Sequence, residues 1–121
     1  MGSSTSNLAT SSSPNAMSSK ISQLVDSTID ENFVTVFSKS WCPYCRRAKN
    51  LLNSLELPEG KNIQVLELDL RDDGSQIQSY LARKTGQTTV PNIFINREHI
   101  GGSDDLVDLH KSGKLVKLLN Q

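Results

Sequence analysis

Apolar and polar positions along this chain switch between a helical and an alternating period, and the switches mark out its elements. Ile21, Leu24, Val25 and Ile29 recur at helical spacing, with Ser18 or Ser19 placed to cap that helix. Phe33-Val34-Thr35-Val36-Phe37 is a β-branched and aromatic run of the kind that forms a short buried strand. Ala48, Leu51, Leu52 and Leu55 return to helical spacing over Arg46 to Leu55. Leu57-Pro58-Glu59-Gly60 breaks the chain, and Ile63 to Leu68 alternates as a second strand. The next helix holds Ile77, Tyr80, Leu81 and Ala82, with Asp72, Asp73 and Ser75 as candidate caps and Gly86 near its end. Asn92-Ile93-Phe94-Ile95, a turn at Asn96-Arg97 and Glu98-His99-Ile100 pattern as a hairpin. After Gly101-Gly102, Ser103-Asp104-Asp105 opens a helix through Leu106, Val107 and Leu109. Leu115, Val116, Leu118 and Leu119 form a last helical turn or two.

The resulting order is α-β-α-β-α-β-β-α-α. A strand–helix–strand unit pairs its strands in parallel, and a hairpin pairs them antiparallel. The expected class is therefore α/β, with a four-stranded mixed sheet flanked by helices on both faces.

Length and composition narrow the setting. A chain of 121 residues holds one domain with a real core. Met1 to Met17 differs from the rest, being dominated by Ser, Thr, Asn, Gly and Pro. Such a segment buries too little to offset its ordering entropy, so disorder is expected for residues 1–17, with the folded domain spanning 18–121. The tail has no Lys or Arg and no apolar stretch, which fits neither a transit peptide nor a secretory signal. It fits equally a native tail and an artificial leader ahead of Met17. Lys+Arg and Asp+Glu balance at 13 each, so neither a nucleic-acid-binding protein nor a polybasic membrane anchor is indicated. No apolar run approaches the roughly 18 residues that span a bilayer.

The chemistry concentrates at Cys42-Pro43-Tyr44-Cys45, which contains both cysteines of the chain and joins the first strand to the second helix. Pro43 suits the first helical turn, where its missing N–H would have had no partner. Cys42 then lies at the helix N-terminus, where the macrodipole favours a thiolate, and Cys45 lies one turn in on the same side. A nucleophile and a resolving partner result. A half zinc site needs two more ligands, and His99 and His110 show no paired spacing. A structural disulfide across so short a loop would constrain the unfolded chain little. A lone C-x-x-C beside a strand–helix pattern reads as a redox motif of a reducing compartment, hence a cytoplasmic protein. Lys39, three residues before Cys42, adds a cation that favours thiolate. Arg46 and Arg47 fit added positive potential or an ordinary solvated face. His99 and His110 read as surface residues without a role.

Lys39-Ser40-Trp41-Cys42-Pro43-Tyr44-Cys45, Thr89-Val90-Pro91 and Gly101-Gly102-Ser103-Asp104-Asp105 together resemble the three signatures of a dithiol glutaredoxin, over roughly residue 20 to the C-terminus. The resemblance implies a thioredoxin fold and glutathione-dependent reduction of protein–glutathione mixed disulfides and protein disulfides. It implies Cys42 as attacking thiolate and Cys45 as resolver. It places Lys39 and Gln87 on the glycine carboxylate of glutathione, Val90 beside a cis Pro91 on its cysteinyl backbone, and Tyr44 and Thr89 along the ligand. Backbone N–H groups after Gly101-Gly102, with Asp104 and Asp105, would meet the γ-glutamyl end, Asp105 taking the ammonium. The implied partners are glutathione as reductant and glutathionylated or disulfide-bonded proteins, with no metal, acting as a monomer. Two positions depart from the pattern. Asp104 puts a carboxylate where many members have an uncharged residue, and Trp41 is more typical of thioredoxins, which carry Gly-Pro between the cysteines. Two alternatives follow from the same likeness: a glutathione-ligated [2Fe–2S] cluster between two subunits, and a disulfide reductase served by thioredoxin reductase.

Overall fold

The computed structural model describes residues 14–121, with side chains from Ser18 onward. Helix α1 (Pro14–Glu31) leads to β1 (Val34–Ser38), and α2 (Pro43–Ser54) crosses to β2 (Ile63–Glu67). A 3-10 turn (Leu68–Leu70) and α3 (Gly74–Thr85) precede the hairpin β3 (Asn92–Ile95) and β4 (Glu98–Gly101). Helices α4 (Ser103–Lys111) and α5 (Lys114–Leu119) finish the chain. The strands form one sheet in the order β2-β1-β3-β4. β1 pairs parallel with β2 and antiparallel with β3, and β3 pairs antiparallel with β4. The expected mixed sheet of four strands is therefore present.

Its central strand explains its own sequence. All five β1 residues are buried, because β1 has a strand on each side and helices over both faces. Val34 and Val36 join Ala48 and Leu52 of α2, Ile93 and Ile95 of β3, Leu106 of α4, and Leu115 and Leu119 of α5. Phe37 points the other way, into a cluster with Val25 and Ile29 of α1, Ile77 and Leu81 of α3, and Phe94. The Phe37 and Phe94 rings meet edge to face, centroids 6.0 Å apart. The helices thus split as α1 and α3 on one face and α2, α4 and α5 on the other. The hairpin turn holds Asn96 at φ 52° and Arg97 at φ 69°, the left-handed pair that a two-residue turn requires.

Two local expectations are corrected. Helix α1 starts at Pro14, not at a cap on Ser18 or Ser19, because proline suits a first turn and both serines lie exposed on the helix. Of the tail expected to be disordered, residues 1–13 lie outside the described residues. Asp73 stands at the N-cap of α3 without capping it, since its carboxylate is held by Arg71 Nε at 2.8 Å. Neither Ser103 nor Asp104 caps α4. Gly102 is the N-cap residue, and its N–H donates to Asp105 Oδ2 at 2.9 Å. Gly101, at φ 119°, cannot be replaced there without conflict: an added Cβ would lie 2.2 Å from that same carboxylate oxygen.

Candidate active site

The turn between β1 and α2 places the two thiols in unequal surroundings. Cys42 N–H donates to the Lys39 carbonyl at 3.1 Å, and Arg46 N–H to the Cys42 carbonyl at 3.0 Å. Cys42 therefore occupies the N-cap, with Pro43 at the first helical position. Cys42 keeps 7% of its surface exposed, and Cys45, one turn inward, keeps none. Both are free thiols. Burial works against the Cys42 thiolate. The N–H and S–H of Cys45, the N–H of Tyr44 and the Lys39 charge together outweigh it, and the pKa falls below the ordinary thiol value. Burial pushes Cys45 up to about 11, against a lowering contribution from the Lys39 N–H that donates to its sulfur at 3.4 Å. The surroundings thus favour the thiolate at Cys42 and the neutral thiol at Cys45.

The loop before Cys42 is pinned from β2's end. Asp69, in the 3-10 turn, accepts the Ser40 N–H at 2.8 Å and the Ser40 hydroxyl. The Ser40 hydroxyl, then its N–H, holds the Asp69 carboxyl below the usual carboxylate range. Asp69 is missed by sequence reasoning, because its partner lies 29 residues away.

A groove of about 450 Å³ opens with Tyr44 on its wall. Gln87, Thr89, Val90 and Pro91 line it from the segment before β3, and Asp104 and Asp105 from the start of α4. Gly102 and Ser103, absent from the predicted residues, line it too. The Val90–Pro91 peptide bond is cis, as the resemblance implies. Gln87 is not a free donor: its amide Nε2 donates to the carbonyls of Thr89 at 3.0 Å and Pro91 at 2.9 Å, tying the cis loop together. Lys39 and Cys42 are not on the groove wall. The Lys39 ammonium rests 5.9 Å from the centre of the exposed Trp41 ring, and Cys42 precedes Tyr44 by two residues.

Arg47 is the residue that sequence reasoning left undecided and the fold employs. Its Nε donates to Ser103 Oγ at 2.8 Å, its Nη2 meets Asp104 Oδ1 at 2.5 Å, and its guanidinium lies 5.5 Å from the Tyr44 ring centre. The extra carboxylate of Asp104 is thereby turned toward α2 and neutralised locally. In α4, Leu106 N–H makes the first intrahelical bond, to the Gly102 carbonyl at 3.1 Å. The N–H groups of Ser103 and Asp104 precede it and are available to an anion. His99 is exposed, as expected, but its Nε2 lies 2.9 Å from Asn92 Oδ1 and its ring packs on Phe94. Among the described residues, no three His, Cys, Asp or Glu side chains gather as a metal site, and no helix is long and apolar enough to cross a membrane.

Comparison with known proteins gives a consistent result. The family model "Glutaredoxin" matches residues 34–100. Glutaredoxin-C8 of Oryza sativa subsp. japonica is 52% identical over 99 residues, covering 82% of this chain and 71% of that protein. Glutaredoxin-C2 of Arabidopsis thaliana is 54% identical over 93 residues, covering 77% and 80%. The crystal structure of a buckwheat glutaredoxin–glutathione complex superposes with a TM-score of 0.78 at 42% identity, covering 85% of this chain and 90% of that one.

Proposed function

Because this chain belongs to the glutaredoxin family, with its thioredoxin-like fold and thiol–disulfide oxidoreductase activity, we propose that its reductant is glutathione and that Cys42 and Cys45 divide the work. The carrying observation is the groove beside a buried, low-pKa Cys42. It offers Val90 backbone next to a cis proline at one end and free helix N–H groups with Asp105 at the other. That combination suits a short peptide with an anionic, amine-bearing terminus. The complex of the buckwheat relative with glutathione supports it.

In this reading the Cys42 thiolate attacks the glutathione sulfur of a protein mixed disulfide. A Cys42–glutathione disulfide forms and the protein thiolate leaves, taking a proton from water. A second glutathione thiolate attacks the bound glutathione sulfur and restores the Cys42 thiolate, releasing glutathione disulfide. On a protein disulfide, Cys42 forms the mixed disulfide with the substrate. Cys45 then attacks Cys42 Sγ, and two glutathiones reduce the resulting Cys42–Cys45 bond. Val90 offers strand-like pairing to the cysteinyl residue, and Tyr44 and Thr89 border it. Ser103 and Asp104 N–H groups take the γ-glutamyl carboxylate, and Asp105 the ammonium. Lys39 supplies the charge for the glycine carboxylate, with Gln87 holding the loop that faces it. The protein acts as a monomer in the cytoplasm, where a reducing poise keeps such a pair reduced.

The test is a glutathione and glutathione-reductase coupled assay on a small glutathione mixed disulfide. Cys42→Ser should abolish turnover and Cys45→Ser should retain it. Loss with Cys45→Ser and retention with Cys42→Ser would overturn the assignment. Faster turnover with thioredoxin reductase than with glutathione would overturn the choice of reductant.

A further inference from the structure

A buried polar side chain directly after the cis bond has no part in the chemistry above. Asn92 opens β3, is 1% exposed, and pairs with Phe37 of β1. It shares a face with Phe37 and Phe94, where an apolar side chain would join the cluster of α1 and α3. Asparagine is also a poor strand former, so neither burial nor propensity accounts for it. Its amide is instead partnered at both ends. Across the hairpin, His99 Nε2 lies 2.9 Å from Asn92 Oδ1. That oxygen only accepts, so His99 Nε2 carries the proton and donates. The β3–β4 pairing shifts by one residue between Ile93 and Phe94, beside His99, a bulge of the kind that re-aims a side chain. On the other side, Asn92 Nδ2 faces Thr85 Oγ1, a long contact at 3.5 Å. The Thr85 hydroxyl donates to the Leu81 carbonyl at 2.8 Å, which leaves its lone pairs to accept, and the Gln87 N–H donates to it at 3.0 Å. Gln87 in turn ties the Thr89 and Pro91 carbonyls.

We propose that His99 and Asn92 are positioning residues for the peptide bound against Val90: His99 fixes the Asn92 amide, and Asn92 anchors the cis loop from behind. The proposal rests on the reading that this groove takes the glutathione moiety of the substrate. Neither residue lines the groove, so their effect passes through the backbone. The loop is held at two points. Gln87 Nε2 clamps its interior, and Asn92, covalently next to Pro91, fixes its exit into β3. Without the side-chain anchor, strand pairing alone holds that exit, and the Val90 N–H and carbonyl sample a wider range of directions. Strand-like pairing to a peptide is directional, so the spread weakens binding. No proton is transferred in this role, since His99 Nε2 donates in the neutral and the protonated ring alike.

The experiment measures steady-state kinetics on the mixed disulfide of glutathione and 2-mercaptoethanol at fixed glutathione, beside unfolding free energy by urea titration. His99→Phe keeps a ring on Phe94 but removes the donor, and KM should rise about three- to tenfold, the effect of one net hydrogen bond. The kcat should change less than about twofold, since uniform binding rather than chemistry is lost. His99→Gln presents a side-chain N–H at similar reach and should restore KM to within about twofold of wild type. Asn92→Leu removes the anchor and leaves no buried acceptor unpaired, so its stability should match or exceed that of His99→Phe while its KM stays raised. Combining Asn92→Leu with His99→Phe should raise KM no further than Asn92→Leu alone, because the two act as one unit. Iodoacetamide modification of Cys42 at neutral pH should be unchanged throughout. A His99→Phe with wild-type KM, or a His99→Gln as impaired as His99→Phe, overturns the positioning role. So does a KM that follows stability across the variants instead of loss of the donor. The first two outcomes rest on the exposed His99, so they hold even where Asn92→Leu does not fold. Wild-type protein without glutathione-dependent turnover overturns the reading of the groove, and the proposal with it.

Discussion

Alkylation should separate the two thiols sharply, and the expected ratio follows from their surroundings. With its pKa at about 11, only about one Cys45 in 10⁴ is thiolate at pH 7. An ordinary thiol near 8.5 would be about 3% ionised at that pH, and Cys42 lies below the ordinary value, so its fraction is larger. Ionisation alone therefore favours Cys42 by at least about 300-fold. Intrinsic nucleophilicity works the other way. With a Brønsted slope of about 0.4–0.5, the more basic Cys45 sulfur regains a factor of roughly 10–20. The net preference is then at least about 15–30-fold before access is considered, and access favours Cys42 again, since Cys45 has no exposed surface. The assay is iodoacetamide modification of the reduced protein, with site occupancy read by peptide mass spectrometry over time. Cys42 should be modified first, and once it is fully ionised the ratio should shrink about tenfold per pH unit toward pH 11. A ratio below about 5 at pH 7, or one independent of pH, would refute this account of the unequal pair.

Four further outcomes follow. Arg47→Ala frees the Asp104 carboxylate beside the helix N–H groups, so KM for a glutathionylated substrate should rise several-fold, and Asp104→Asn in that background should restore it. Because both partners are largely exposed, the same change should cost less than about 1 kcal/mol in denaturant unfolding. Asp69→Ala removes both Ser40 contacts, so the Lys39–Trp41 loop should loosen and Cys42 alkylation at pH 7 should slow several-fold while Cys45 is unaffected. Leu52→Ala hollows the cluster beneath α2 and should lose about 2–5 kcal/mol of unfolding free energy by denaturant titration. Finally, the Cys45 thiol is neutral-favoured in the fold, so its contribution is intact below the unfolded thiol's pKa near 8.5 and withdrawn as pH rises toward about 11. Unfolding free energy should fall over that window, and fall less in Cys45→Ala, as measured by urea titration at stepped pH.

What the sequence discloses here, and what it hides, follows from how far apart in the chain the causes lie. The elements are legible because periodicity is local: Val34 to Phe37 must be central, and Ala48, Leu52 and Leu55 must share one helical face. The inequality of the cysteines is legible too, because N-cap and one-turn-deeper positions differ in exposure on any helix that packs on a sheet. The electrostatic frame is not. Arg47 looks like solvated charge until α4 folds 56 residues away against α2, and Asp69 acquires its role only when Ser40, 29 residues away, donates to it. Glu67 is the sharpest case. By alternation it continues the face of Ile63 and Val65 and should be apolar, whereas it is a carboxylate opposite Lys49 with one oxygen buried and unpartnered. A hydrophobic residue there would pack against α2 with no desolvation penalty. Periodicity within β2 therefore cannot anticipate this choice, because the lysine that pairs with Glu67 lies 18 residues away on α2.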